Sequence, residues 1–148
     1  MKKIGEEIQQ KKFKSIRQKA VINLIYTTNW LQSRQQEFFR TFGITGQQFN
    51  ILRILKGQFP KSISVTEIKG RMLDRNSDVS RLLDRLATKK LISRKTCPND
   101  KRASDVIITN HGIELLGQIG RSQKQDSFLS LTEDEAAALS DLLDKARG

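Results

Sequence analysis

The sequence predicts a mainly α-helical protein with one β-hairpin, and three observations lead to this fold class. Apolar residues recur at helical spacing over most of the 148 residues. The spacing changes to that of strands in two segments, 91–96 and 104–109. A Pro-Asn-Asp sequence at 98–100, which favours a turn, lies between these segments. The length suits one ordinary domain, so we expect residues 1–148 to form a single domain.

The longest predicted helix lies near the amino terminus, from about Lys11 to Phe42. Apolar residues such as Ile16 and Leu24 recur on one face of it. Its length is well above the ~11–12 residues of a typical globular helix, and Gly43 is placed to end it. A long amphipathic helix leaves an apolar face that a second surface must cover, so we expect a dimer.

Capping boxes predict where three further helices begin. In this motif a Ser or Thr oxygen accepts a hydrogen bond from the third amide of the helix, and the Glu or Gln at that position reaches back. We expect the second helix to close at Gly57 and Pro60, and the third to end near Leu73. The three motifs are Thr45 with Gln48, Ser64 with Glu67, and Thr132 with Glu135.

Residues 74–78 are turn and cap formers, and a fourth helix is predicted to follow them, to about Lys90. Its apolar residues form one stripe, whereas its polar and basic residues lie on the other side. Two helices joined by so short a turn form a helix-turn-helix. The hairpin comes next, with residues 97–103 as its loop, and Thr109 or Asn110 caps the following helix.

The formal net charge of +11 is distributed unevenly along the chain. Residues 1–60 carry 11 basic and 3 acidic side chains, and residues 61–109 carry 12 and 6, which gives +8 and +6. Residues 110–148 have a net charge of −3. A basic body predicts a polyanionic partner, with nucleic acid first and an anionic membrane surface second.

The sequence also argues against several other classes of protein. No apolar run approaches the ~18–20 residues of a membrane span, so we expect no membrane partner. With His111 as the single histidine, no metal set forms at normal spacing, and phosphate-loop and nucleophile-elbow motifs are lacking. We therefore expect no enzyme and no cofactor. A single cysteine, Cys97, and a start that does not resemble a secretory signal indicate a cytoplasmic protein.

A helix-turn-helix followed by a basic hairpin is the layout of a winged helix, whose dimensions suit duplex DNA. The major groove is ~12 Å wide and admits one helix, so polar residues near the start of the fourth helix can reach base edges. Arg102 in the hairpin is expected to enter the minor groove, with Asp100 holding its guanidinium group. The full set of expected DNA-binding residues is Thr66, Arg75, Asn76, Ser77, Asp78, Ser80, Arg81, Arg85, Arg94, Lys95, Asp100, Lys101 and Arg102.

Three motifs between residues 43 and 116 carry a resemblance to a known family. They are Gly43-Ile44-Thr45 with Gln48-Phe49, then Ser80-Arg81-Leu82-Leu83-Asp84-Arg85-Leu86, and Asp100-Lys101-Arg102-Ala103-Ser104 followed by Ile108-Thr109 and Gly112. Together they resemble the MarR family of bacterial transcription regulators, and the hairpin motif is the most specific of them. Two positions depart from the family pattern, since Lys101 replaces a frequent second arginine and Lys90 a frequent glycine before the wing.

The resemblance implies a homodimeric repressor on a pseudo-palindromic DNA operator. The dimerisation helices would lie at about 1–42 and 110–148, and the DNA-binding lobe at about 43–109 with its wing at 91–109. Many relatives lose DNA affinity when a small aromatic or phenolic ligand, or another signal such as an oxidant, acts on them. Tyr26, Trp30 and Phe49 are the candidates for a ligand pocket, with ordinary core packing as the alternative.

A second function stays open at this point. A winged helix can also serve as a protein-interaction module that lacks sequence-specific DNA binding. Such a module needs neither a basic wing nor the exposed bases Arg81 and Arg85, which favours the DNA-binding interpretation.

Overall fold

A computed structural model describes residues 1–97, 100–122 and 128–148, and gives the backbone alone for residues 96, 97 and 100–103. Within these ranges the chain forms seven helices and three strands, which confirms the mainly α-helical fold with one hairpin. The helices are α1 (Ile4–Glu7), α2 (Ile16–Arg40), α3 (Gly46–Gln58), α4 (Val65–Arg71), α5 (Val79–Thr88), α6 (Asn110–Arg121) and α7 (Glu133–Arg147). The strands are β1 (Ile63–Ser64), β2 (Ile92–Cys97) and β3 (Asp100–Ile108).

The amino-terminal helix starts later than predicted. The sequence pattern placed its start near Lys11, but Ser15 has extended backbone dihedrals and its side chain accepts a hydrogen bond from the amide of Gln18 at 3.0 Å. This cap starts α2, and the short helix α1, which was not predicted, precedes it. At the other end Gly43 adopts a φ of 72°, so the left-handed residue expected there is present.

All three predicted capping boxes are present. The Ser or Thr oxygens accept hydrogen bonds from the third helical amide at 3.1, 3.2 and 3.3 Å, and the Gln or Glu side chains accept from the cap amides at 2.9–3.0 Å. These motifs satisfy amides that have no partner inside the helix, so they set the starts of α3, α4 and α7. The helix ends are less accurate, because α3 continues through Gly57 and α4 stops at Arg71.

The hairpin is longer than predicted, and a third strand accompanies it. Residues 100–103 were expected in a loop, but they begin β3, which pairs antiparallel with β2. The missed strand β1 pairs with β3, Ile63 opposite Val106 and Ser64 opposite Asp105, which gives the order β1-β3-β2. Two residues are too few to show the alternation that identifies a strand.

The hydrophobic core lies between α3, α4, α5, the sheet and one face of α6. Its largest fully buried side chains are Ile51, Leu52, Leu55, Ile68, Val79, Leu83, Leu86, Val106, Ile108 and Ile119. By contrast, α2 buries Phe39 alone, and α7 buries none of its residues. The first and last long helices therefore contribute little to this core.

The end of α5, the start of the hairpin and the start of α6 meet at one crowded point. Thr109 accepts a hydrogen bond from the amide of Gly112 at 3.1 Å and donates one to the carbonyl of Lys90 at 2.8 Å. Lys90 itself adopts a φ of 60°, in the place where the family often has a glycine. A Cβ atom at Gly112 would lie 2.4 Å from the carbonyl oxygen of Leu91 and 2.7 Å from Cγ1 of Ile108. The backbones can approach this closely because Gly112 has no side chain.

Replacing Gly112 by alanine should destabilise the protein by about 1–3 kcal/mol, because the added methyl group overlaps a carbonyl oxygen. Urea unfolding measures this loss. Gly120→Ala is the matched control on the same helix, since its Cβ would meet open space, and it should raise stability by up to ~1 kcal/mol. Equal unfolding midpoints for the two variants would contradict the close approach at Gly112.

Candidate nucleic-acid interface and adjoining cavity

Helix α5 separates buried apolar residues from exposed polar ones. Val79, Leu82, Leu83 and Leu86 are at most 8% exposed and pack into the core. The residues on the outer side are all exposed, and they are Ser80, Arg81, Asp84 and Arg85. This helix therefore presents a polar and basic face to solvent, as the spacing of its apolar residues predicted.

The turn before α5 is built from hydrogen bonds within the protein. Asp78 caps the helix, since its carboxylate accepts a hydrogen bond from the amide of Arg81 at 3.2 Å. Asp74 accepts from the amide of Asn76 at 2.9 Å and, through its carbonyl, from the hydroxyl of Ser77 at 2.8 Å. Capping gives a structural reason for a carboxylate, Asp78, on a face expected to meet phosphates.

Two side chains of α3 hold this turn from the other side. Asn50 accepts a hydrogen bond from the amide of Leu73 at 3.0 Å, and Gln47 donates to the carboxylate of Asp74 at 3.0 Å. Sequence reasoning missed both residues, because a polar residue on a helix carries no signal of a partner more than 20 residues away. Arg75, which was expected at DNA, donates to the carbonyl of Gly70 at 3.1 Å.

The hairpin is tied to α5 by one ion pair. Arg94 on β2 lies 2.6 Å from the carboxylate of Asp84 on α5, and its second nitrogen lies 3.4 Å from the hydroxyl of Ser104 on β3. The Arg94 side chain is 27% exposed, so Arg94 holds the wing against α5 and remains partly accessible to solvent. Lys95 on the same strand and Thr66 on α4 are exposed.

The expected contacts at the tip of the hairpin involve side chains outside the described residues. The side chains of Asp100, Lys101, Arg102 and Cys97 lie outside the described residues, while their backbone belongs to β2 and β3. On α4, Lys69 and Arg71 are exposed bases beside the turn that sequence reasoning did not include.

A cavity of about 450 Å³, open to solvent, lies between α3 and α6, and Phe49 is one of its walls. Phe49 stacks on Phe39, with ring centroids 4.5 Å apart, and Cζ of Arg53 lies 5.9 Å from the centroid of the Phe49 ring. The cavity thus combines apolar walls with two cations. The complete lining is Phe49, Arg53, Lys56, Gly57, Ile113, Leu116, Gly117 and Gly120.

The structure does not bring Tyr26 and Trp30 to this cavity. Both lie on α2, where they are 37% and 39% exposed. The Tyr26 hydroxyl donates to the carboxylate of Glu7 at 3.1 Å, and this hydrogen bond, followed by desolvation and the charge of Glu7, raises the pKa of Tyr26. The guanidinium of Arg34 lies 5.0 Å from the Trp30 ring. Of the three residues expected at one pocket, the cavity therefore contains Phe49.

Helices α2 and α7, with the segment before α7, expose a series of large apolar side chains. Ile16 is 82% exposed, Ile25 57% and Leu142 64%. Several large apolar side chains this exposed are typical of a surface that another molecule covers. The remaining members of the set are Val21, Leu24, Tyr26, Trp30, Leu129, Leu131 and Leu139.

The described ranges contain neither a membrane-spanning helix nor a metal-ligand group. No helix there combines the length and the apolar composition that crossing a membrane requires. The same residues bring together no group of three or more His, Cys, Asp or Glu side chains suited to a metal ion.

Comparison with known proteins gives consistent matches. A family model described as MarR family matches residues 42–103. The multiple antibiotic resistance protein MarR of Escherichia coli is 32% identical over 127 residues, which cover 82% of this chain and 87% of that protein. The HTH-type transcriptional repressor MdtR of Bacillus subtilis is 33% identical over 108 residues, 71% of this chain and 68% of that protein.

Solved structures agree with these relatives. A mutant of the E. coli MarR protein, complexed with operator DNA, superposes with a TM-score of 0.70 at 29% identity. The superposition covers 98% of this chain and 99% of that one, so the likeness extends well beyond residues 42–103.

Proposed function

Because the chain belongs to the MarR family of transcriptional regulators, which are not enzymes, we propose that it is a sequence-specific DNA-binding repressor. In this proposal it acts in the cytoplasm as a homodimer on a pseudo-palindromic operator, and a small aromatic anion releases it. The observation that carries the proposal is the exposed face of α5, whose start is fixed by a cap and a clamped turn. The E. coli MarR mutant named above was solved with operator DNA.

The geometry of α5 suits the major groove. Ten helical residues span about 15 Å, and Arg81 and Arg85 lie four residues apart on one exposed face. Arginine donates two parallel hydrogen bonds to guanine, whereas Ser80 and Asn76 suit phosphates or mixed base edges. We assign Arg102 to the minor groove, and the remaining predicted residues to the phosphate backbone or to holding the turn and the wing.

The exposed apolar side chains of α2 and α7 support the homodimer. In the proposed arrangement residues 1–42 and 110–148 of two chains interlock, while residues 43–109 of each chain form a DNA-binding lobe. Burial of apolar surface is the main favourable contribution to such association. The charge distribution fits as well, because the acidic residues 110–148 then lie apart from the DNA.

The cavity between α3 and α6 supports an aromatic anion as the signal. Phe49, Ile113 and Leu116 offer an apolar surface for a ring, and Arg53 and Lys56 offer cations for a carboxylate. The volume of about 450 Å³ exceeds the ~150 Å³ that suffices for a benzene ring. We assign Tyr26 and Trp30 to the surface of α2 that the second chain would cover, rather than to this cavity.

The first prediction from the proposed function concerns DNA recognition. Selection from a random duplex pool should yield an operator, and Arg81→Ala or Arg85→Ala should weaken its binding by about 1–3 kcal/mol, roughly 5- to 150-fold in Kd. Fluorescence anisotropy at fixed salt measures this, with Lys61→Ala, an exposed base outside both the expected DNA contacts and the proposed dimer segments, as the control. If no duplex is enriched and a protein partner is captured instead, the protein-interaction alternative replaces this proposal.

The second prediction concerns the dimer. Leu142→Asp should weaken self-association at least about tenfold, because it places a charge in an apolar contact. Sedimentation equilibrium at micromolar concentration measures the effect. Ala137→Asp introduces the same charge elsewhere on α7 and should leave the dimer intact. A wild-type protein that sediments as a monomer would contradict the proposed assembly.

The third prediction concerns the ligand. 2-Hydroxybenzoate should bind and release the operator, and Arg53→Ala should weaken its binding about 10- to 100-fold through loss of a charge-assisted hydrogen bond. Isothermal titration measures this affinity, with Lys61→Ala, an exposed lysine that does not line the cavity, as the control. Equal affinity for benzyl alcohol, which has no charge, would rule out the proposed role of the cations.

A further inference from the structure

Helix α3 lines the cavity and also holds the turn that starts α5. Phe49, Arg53 and Lys56 are cavity walls, whereas Gln47 and Asn50 bond the turn at residues 73–77. At 100° per residue the two groups are centred about 120° apart around the helix. One rigid element therefore contacts both the proposed ligand and the segment that positions the proposed recognition helix.

The third side of α3 joins the helix to the hydrophobic core. Ile51 and Leu52 are fully buried and Leu55 is 1% exposed, so this side is packed into the core. Close-packed side chains transmit displacement rather than absorb it. A ligand whose carboxylate pairs with Arg53 and Lys56 and whose ring packs on α6 can therefore shift α3 only as a unit, together with the side chains that α3 carries.

Two side chains of α3 hold the turn through three hydrogen bonds of 3.0–3.4 Å. The amide of Leu73 lies just beyond the end of α4, and its acceptor is the side-chain oxygen of Asn50 at 3.0 Å. Gln47 reaches both Asp74, at 3.0 Å, and the hydroxyl of Ser77, at 3.4 Å. A shift of about 1 Å takes such contacts out of hydrogen-bond range.

The opposite end of α5 is connected to the same region. The ammonium group of Lys89, at the end of α5, donates to the carbonyl of Gly43 in the turn that leads into α3. The turn before α5 and Lys89 at its end are thus bonded to α3 or to the turn before α3. The position of α5 therefore depends on the position of α3.

We propose that Asn50 and Gln47 are positioning residues that couple occupancy of the α3–α6 cavity to the orientation of α5. Ligand displaces α3, the clamp on residues 73–77 carries that displacement to the start of α5, and Arg81 and Arg85 lose their register on the operator. The proposal rests on the proposed function, because it requires both the ligand and the operator. It adds the route between them.

The test is the ratio of operator Kd values with and without saturating 2-hydroxybenzoate. Coupling between two sites of one protein usually amounts to about 5- to 150-fold. Asn50→Ala should lower this ratio toward 1, while calorimetry in the absence of DNA shows an unchanged affinity for 2-hydroxybenzoate. Asn50→Asp retains an acceptor for the Leu73 amide and should keep most of the wild-type ratio. Gln58→Ala, which removes another side-chain amide at the end of α3, is the control and should keep the wild-type ratio.

A merely structural role would give a different result. If Asn50→Ala binds the operator more weakly but keeps the wild-type ratio, or changes neither quantity, the proposal is wrong. If Asn50→Ala unfolds at lower urea, Gln47→Ala and Asn50→Asp are compared instead. The ratio of operator Kd values should then be reduced in Gln47→Ala and retained in Asn50→Asp. A wild-type ratio of 1 contradicts the proposed function itself, and the coupling with it.

Discussion

Burial of one side of α3 is the constraint from which both candidate sites follow. Ile51, Leu52 and Leu55 fix the rotation of the helix about its axis, since turning it would expose apolar surface at about 25 cal/mol per Å². With that rotation set, Phe49 and Arg53 have to face α6 and the cavity. Asn50 has to face the turn before α5. The same apolar pattern that builds the core thus decides which polar residues meet which neighbour.

A second constraint sets the wing relative to α5. The chain leaves α5 through Lys90 in a left-handed conformation, and Leu91 is then covered by the start of α6. Because Gly112 has no side chain, α6 approaches the carbonyl of Leu91 closely enough for Thr109 to bond the same segment. The pair Arg94–Asp84 adds a direct link from β2 to α5. Helix and hairpin therefore present one surface rather than two independent ones.

How much of this could be predicted depends on the range of the signal. Capping at Thr45 and the stripe on α5 are local, and the structure confirms both. The clamp by Asn50 has no local signal, because its partner lies 23 residues away. Trp30 does not line the cavity with Phe49 in the single chain, because Trp30 lies nine residues before Phe39, the residue that stacks on Phe49, and nine residues of helix rise by about 14 Å. Aromatic character alone did not reveal that separation.

The position of the cavity explains how a small ligand can act on a large partner. Its walls come from α3, which is bonded to the turn before α5, and from α6, which leads toward α7 and the apolar surface that we assign to the second chain. In the proposed dimer the second chain restrains α6, whereas α3 moves with the DNA-binding lobe. A ring bound between α3 and α6 therefore contacts both the DNA-binding lobe, which can move, and the helix that the second chain restrains. A ligand that contacts both parts can favour one arrangement over the other, which is the condition for shifting an equilibrium.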